Sequence, residues 1–157
     1  NIGLIIDGTP ALGLVYAPVR DALYRGTICP ATGARSAEAV QGGKRSEIAV
    51  RRTPEQGLTI VGSASHQVKD AMNAFLANHT VHEMIAIGSS LKFCLVAEGK
   101  ADLYPRFGPT CEWDIAAGHA VLNAAGGSVK TFDGHDMPYK QTSKNYRNGP
   151  FLAANTP

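Results

Sequence analysis

The absences in this chain narrow its class first. No apolar run approaches the roughly 20 residues that a transmembrane helix needs, and no secretory leader pattern is visible. Cysteine is scarce: Cys29, Cys94 and Cys111 are odd in number and have no Cys-x-x-Cys spacing. That excludes a disulfide framework and a ribbon-type zinc site, and fits a reduced compartment with one or two thiols buried as small hydrophobes. Charge of one sign is also lacking. The 15 basic residues exceed the 13 acidic ones by two, a net charge of +2, which argues against a general binder of nucleic-acid polymers or membrane surfaces. Lys44, Arg45, Arg51 and Arg52 read as a solvated basic face. There is no internal repeat and no low-complexity tract. A cytoplasmic protein is expected.

What is present suits one domain. The 157 residues are 44% hydrophobic, enough to bury a sizeable core. Two β-rich runs, residues 1 to 6 and 10 to 18, flank Asp7-Gly8 and predict a hairpin. Opening directly on a paired apolar strand, the chain reads as a piece of a longer protein. A short strand follows at 22 to 26, and residues 27 to 47, rich in Gly, Ala, Ser and charge, read as a loop with some strand character. Residues 58 to 62, 84 to 87, 101 to 104, 128 to 131 and 151 to 154 read as short strands, and Asp133-Gly134 as a turn. Val68, Met72, Phe75 and Leu76 share one helical face and are expected in the core; a second helical segment spans 91 to 98. Strands alternating with helices define an α/β fold, a mixed sheet with flanking helices.

Three strand-to-helix junctions carry small polar residues: 63 to 66, 88 to 92 and 110 to 114. In open α/β sheets anions collect at such junctions, where free backbone N–H groups meet the ligand, so the three predict one phosphate-rich site. The last leads into the organising stretch, Trp113-Asp114-Ile115-Ala116-Ala117-Gly118-His119-Ala120-Val121-Leu122-Asn123-Ala124-Ala125-Gly126-Gly127. It predicts a helix with a carboxylate in its first turn and a double-glycine stop. Asp114 is there either as a capping residue or as a ligand of a cation that lets a phosphate approach. Lys92 offers a point charge and Arg106 a planar fork for phosphate, or each is simply a surface charge.

This stretch resembles the second signature of the inositol monophosphatase superfamily, magnesium-dependent phosphomonoesterases. The blocks Ile87-Gly88-Ser89-Ser90-Leu91-Lys92-Phe93-Cys94 and Leu103-Tyr104-Pro105-Arg106-Phe107-Gly108-Pro109-Thr110 are similar to its 3'(2'),5'-bisphosphate nucleotidase branch. The resemblance implies the C-terminal half of a layered α/β sandwich and a substrate such as adenosine 3',5'-bisphosphate, handled in sulfur metabolism. It implies that Ser63, His66, Ser89, Lys92 and Arg106 contact nucleotide and phosphate, and that Asp114 contacts the substrate and ligates Mg2+. An inositol or fructose-1,6-bisphosphate phosphatase, or a non-catalytic nucleotide-binding module, is the alternative.

One departure matters. The family's Glu-Glu pair and Asp-Pro-x-Asp-Gly-Thr motif are missing, and Asp7-Gly8-Thr9 is a hairpin turn without the preceding Asp-Pro. Two-metal hydrolysis needs several carboxylates holding ions about 3.5–4 Å apart. The expectation is therefore a fragment lacking its upstream metal-binding half, inactive alone, and prone to pair with that half or with itself.

Overall fold

The computed structural model describes residues 1–62 and 69–155. Asp7 and Gly8, at φ 49° and 81°, make the predicted turn between β1 (Ile2–Ile6) and β2 (Thr9–Ala17). Antiparallel pairing continues through β3 (Ala22–Ile28), β4 (Arg35–Gln41) and β5 (Lys44–Glu47), giving a five-stranded meander. The stretch expected to be largely loop is thus mostly strand. Gly42 and Gly43, both at positive φ, turn β4 into β5, and buried Ala37 and Ala39 supply an alternation too weakly apolar to stand out in the sequence.

A second sheet is mixed. It contains β6 (Leu58–Gly62), β7 (Val81–Ala86), β8 (Leu103–Arg106), β10 (Ser128–Thr131) and β12 (Phe151–Ala154), in the order β10-β12-β8-β6-β7. β6 runs parallel to its neighbours β7 and β8, while β12 is antiparallel to both its neighbours. Two short strands, β9 (Thr110–Cys111) and β11 (Arg147–Asn148), pair separately. β8 carries Arg106 at its end, in a stretch the sequence reads as loop.

Among the described residues three α-helices connect these strands: α1 (Lys69–Leu76), α2 (Leu91–Ala97) and α3 (Glu112–Ala124). α2 and α3 lie between the two sheets, α3 against β1, β2 and β3, and α2 against β6, β8 and β12. This is the layered α/β sandwich expected. A helix in that position must be apolar around its whole circumference, and residues 115 to 122 are all buried.

The closeness of α3 to the first sheet rests on glycines. Gly3, Gly13 and Gly26 stand opposite one another across β1, β2 and β3, forming a trough. A Cβ at Gly13 would run into the Ala117 carbonyl, and one at Gly26 would lie 2.6 Å from the Ala120–Ala124 turn at Val121 Cα. On the helix's other side, a Cβ at Gly118 would sit 2.5 Å from Phe93 Cδ2. Phe93 in turn stacks on Phe151 (5.8 Å) and meets Tyr104 edge-on (5.1 Å), the aromatic centre of the core.

Two expectations need correction. Met72, Phe75 and Leu76 are half-buried rather than in the core; Phe75 meets Phe107 and Phe132 in an aromatic cluster at the surface, 6.0 and 6.1 Å between ring centres. Val68 lies outside the described residues. Arg51 is not part of a solvated face. Its Nε and Nη2 donate to the two oxygens of fully buried Asp102 at 2.9 and 2.8 Å, while the Thr59 N–H donates to Asp102 Oδ2 at 2.7 Å. A buried carboxylate is tolerated only with such partners. Cys94 is buried, Cys111 half-buried and Cys29 exposed, all as free thiols. Among the described residues no helix is long and apolar enough to cross a membrane.

Candidate functional site

β8 and the N-terminal ends of α2 and α3 converge on a cleft of about 360 Å³, lined by Ser89, Lys92, Tyr104, Arg106, Thr110 and Asp114, among others. The 88–92 junction is shaped by Ser89, whose φ of 55° is uncommon for a non-glycine residue and concentrates at functional turns. Ser90 occupies the N-cap position of α2, and its hydroxyl donates to the Asp114 carbonyl at 3.4 Å, tying α2 to α3.

Lys92 is only 3% exposed. Its Nζ donates to the Ser89 carbonyl at 3.1 Å and stands 5.1 Å over the Tyr104 ring. Burial, with Arg106 adding like charge, pulls its pKa down to about 8. Arg106 is half-buried; Nε donates to the Gly108 carbonyl at 3.0 Å and Nη2 to the Pro109 carbonyl at 3.1 Å. Those two bonds fold the 106–109 loop around the guanidinium and leave others of its five N–H donors for a ligand. Burial raises the Tyr104 hydroxyl pKa, opposed by Arg106.

Asp114 behaves first as a cap. Its Oδ2 accepts from the Cys111 N–H at 2.7 Å, the capping reading weighed from the sequence. Capping with one oxygen leaves the other free for a cation or donor. Glu112, also in the first turn of α3, is spent elsewhere: its oxygens accept from the Lys140 and Gln141 N–H groups at 3.0 and 2.7 Å. Asp114 is the only carboxylate among the described residues lining the cleft, and no cluster of three metal-binding side chains occurs among the described residues. The residues present therefore do not fit a magnesium pair. What they do provide is a cationic, partly desolvated recess suited to a phosphate group.

Of the six substrate-contact residues expected from the sequence, four line this recess: Ser89, Lys92, Arg106 and Asp114. Ser63 and His66 lie outside the described residues. Ser90 and Thr110 line it as well, within the 88 to 92 and 110 to 114 junctions expected to form the site, whereas Tyr104 was not singled out as a site residue although it lies two residues before Arg106.

This arrangement belongs to a known class. The inositol monophosphatase family profile matches residues 1–156, and the chain belongs to that family. It is 47% identical over 141 residues to the 3'(2'),5'-bisphosphate nucleotidase CysQ of Salmonella typhimurium, covering 88% of this chain and 53% of that relative. The CysQ of Escherichia coli matches to the same extent, 47% over 88% of this chain and 53% of its own length. The crystal structure of CysQ from Bacteroides thetaiotaomicron, a bacterial member of the family, superposes with a TM-score of 0.82 at 31% identity, over 99% of this chain and 62% of that one. The chain thus spans about half the length of these curated relatives, 53% in each case.

Proposed function

We propose that this chain is the C-terminal, phosphate-binding portion of a magnesium-dependent 3'(2'),5'-bisphosphate nucleotidase, which removes the 3'-phosphate of adenosine 3',5'-bisphosphate in cytoplasmic sulfur metabolism. The observation that carries the reading is the convergence of Ser89, Lys92, Arg106 and Asp114 on one cleft from two helix starts and a strand end. Lys92 supplies a desolvated positive charge, Arg106 a fork for phosphate oxygens, and Ser89 a hydroxyl. Asp114 contributes its uncapped oxygen to substrate or to one magnesium ligand; the remaining ligands come from outside this chain. Ser63 and His66 are assigned to the same substrate by resemblance. Since no other carboxylate among the described residues faces the cleft, the chain alone binds phosphate without hydrolysing it.

Its partner is an upstream half or a second copy. Ile2, Leu4 and Tyr16 expose 64%, 49% and 53% of their surface on the first sheet, apolar area of the kind a partner covers.

Calorimetry of the 157-residue chain with adenosine 3',5'-bisphosphate tests the reading: binding that is lost in Lys92→Met and Arg106→Gln is expected. Phosphate release by the chain alone with magnesium overturns the assignment of the missing ligands. Equal or tighter binding of inositol 1-phosphate or fructose 1,6-bisphosphate shifts the reading to a sugar phosphatase.

A further inference from the structure

The loop that holds the Arg106 side chain is itself held from outside the cleft. Arg106 is the last residue of β8, and its guanidinium donates to the carbonyls of Gly108 and Pro109, two and three residues further on. The loop backbone lies close along it: a Cβ at Gly108 would stand 3.6 Å from Arg106 Nη2. Strand pairing fixes the backbone at Arg106, opposite Phe151, and at Thr110, opposite Asn148. Residues 107 to 109 bridge the two. Gly108 brings no side chain and Pro109 lines the cleft, so Phe107 is the side chain that anchors this span elsewhere.

Its ring stacks on Phe132 at 5.0 Å and 21°, and meets Phe75 edge-on at 6.0 Å and 65°. Phe75 and Phe132 also meet edge-on, at 6.1 Å, so the three rings close a triangle. The two outer rings come from independently built elements. Phe75 stands on α1, and Phe132 opens the turn after β10, where the Thr131 N–H donates to the His135 carbonyl at 2.8 Å. None of the three rings belongs to the buried core, and Phe132 is 45% exposed. Large apolar side chains gathered at the surface call for a reason. Their place at the back of the Arg106 loop supplies one.

We propose that Phe107 is a positioning residue: clamped by Phe75 and Phe132, it fixes the 106–109 loop and so presents the Arg106 guanidinium, already ordered, to a phosphate in the cleft. The proposal rests on the phosphate-binding reading above and deepens it. Arginine has many rotamers, and a fork ordered before the ligand arrives loses less entropy on binding.

The 157-residue chain is titrated with inorganic pyrophosphate by calorimetry, with circular dichroism as the control for folding. Phe107→Ala is expected to weaken binding roughly ten-fold, Phe107→Tyr to retain most of the affinity, and Phe132→Ala to weaken it by a smaller factor. A merely structural role is separated by a second background. Arg106→Lys replaces the fork by a flexible point charge that does not need the two carbonyls, so binding is weaker, and adding Phe107→Ala there should cost less than two-fold. Parent-like affinity in Phe107→Ala, or the same loss in the Arg106 and Lys backgrounds, overturns the clamp and leaves the phosphate cleft standing. If Phe107→Ala fails to fold, the exposed Phe132→Ala carries the same two-background comparison, with the same outcomes deciding. No binding of pyrophosphate by the parent chain overturns the phosphate reading and the clamp together.

Discussion

The two ends of α3 solve opposite problems. From Ile115 to Leu122 the helix is buried on every side, seated in the Gly3–Gly13–Gly26 trough and pressed by Phe93 at Gly118. At residues 112 to 114 it emerges into a cleft with an exposed tryptophan, a capped carboxylate and two basic neighbours. The packed portion has no freedom, and that is what fixes the open portion. A site held by a rigid element keeps its geometry better than one held by loops. The comparison predicts that substitutions in the trough abolish the fold, whereas substitutions at the tip alter binding and leave the fold intact.

The largest effect is expected at Gly13. Valine there would drive its Cβ into the Ala117 carbonyl, a backbone atom that cannot turn aside. Overpacking of this kind costs about 3 kcal/mol or more, a large part of a domain's stability. Urea denaturation of Gly13→Val should show either no cooperative transition or a midpoint far below the parent's. A parent-like midpoint would mean that α3 can slide in its trough, and the contrast between its two ends would collapse.

Next comes Asp102, which joins the 49–57 segment to the second sheet. Asp102→Ala leaves the Thr59 N–H without its partner and removes the carboxylate from the Arg51 guanidinium, which is one-third exposed and keeps its 3.0 Å bond to the Thr59 hydroxyl. Partial exposure of Arg51 softens the loss, so about 2–3 kcal/mol of destabilisation is expected. Asp102 stands before the first residue of β8, whereas Arg106 lines the cleft from the strand's far end, so pyrophosphate affinity measured below the unfolding transition should be unchanged. A large loss of affinity would show that the two regions are coupled.

These two sites also show what the sequence could and could not reveal. The helix over 112 to 124, the first hairpin and the strand at 151 to 154 were legible because their apolar pattern and turn residues are local. So were Ser89, Lys92, Arg106 and Asp114, which lie in short, dense blocks. The glycine trough was not, because Gly3, Gly13 and Gly26 meet only through strand register, which no single segment encodes. Arg51 and Asp102 are 51 residues apart, so nothing local links them. β4 escaped notice because alanines do the burying, and the α1 stripe was misplaced because periodicity reports a covered face without saying how deeply it is covered. The neighbourhood of Tyr146 and Trp113 was invisible for a similar reason: it depends on a left-handed backbone held by the Glu112 N–H.

At the tip, Lys92 gives a pH-dependent effect of intermediate size. Its folded pKa of about 8 lies below the ordinary lysine value of about 10.4. Between those limits the unfolded chain holds a proton that the folded chain has released. Lys92 therefore contributes stability that rises with pH from about 8 to about 10.4 and penalises the fold below that window. Binding runs the other way, because a neutral amine no longer attracts an anion. Pyrophosphate affinity should fall as pH rises through about 8, and Lys92→Met should lose that step while gaining stability at neutral pH relative to the parent. The same pH step in parent and variant would assign the titration to another group.

The smallest effect belongs to Gly88. It precedes Ser89 at the cleft, yet among the described residues a Cβ there meets nothing within 4 Å, and its φ is not in the left-handed region. Gly88→Ala should change stability by no more than about 0.5 kcal/mol, and the loss of chain entropy on removing a glycine makes a slight gain as reasonable as a loss. Set beside Gly118, where the same methyl would meet Phe93 at 2.5 Å, the substitution separates two uses of glycine on either side of one site. At 118 the missing side chain admits a neighbour; at 88 no neighbour among the described residues requires its absence. If Gly88→Ala folds normally but binds pyrophosphate more weakly, the space over residue 88 is occupied by ligand, which would extend the cleft beyond Ser89 toward the end of β7. If binding is also unchanged, the phosphate is confined to the Ser89, Lys92 and Arg106 side, beneath the tip of α3.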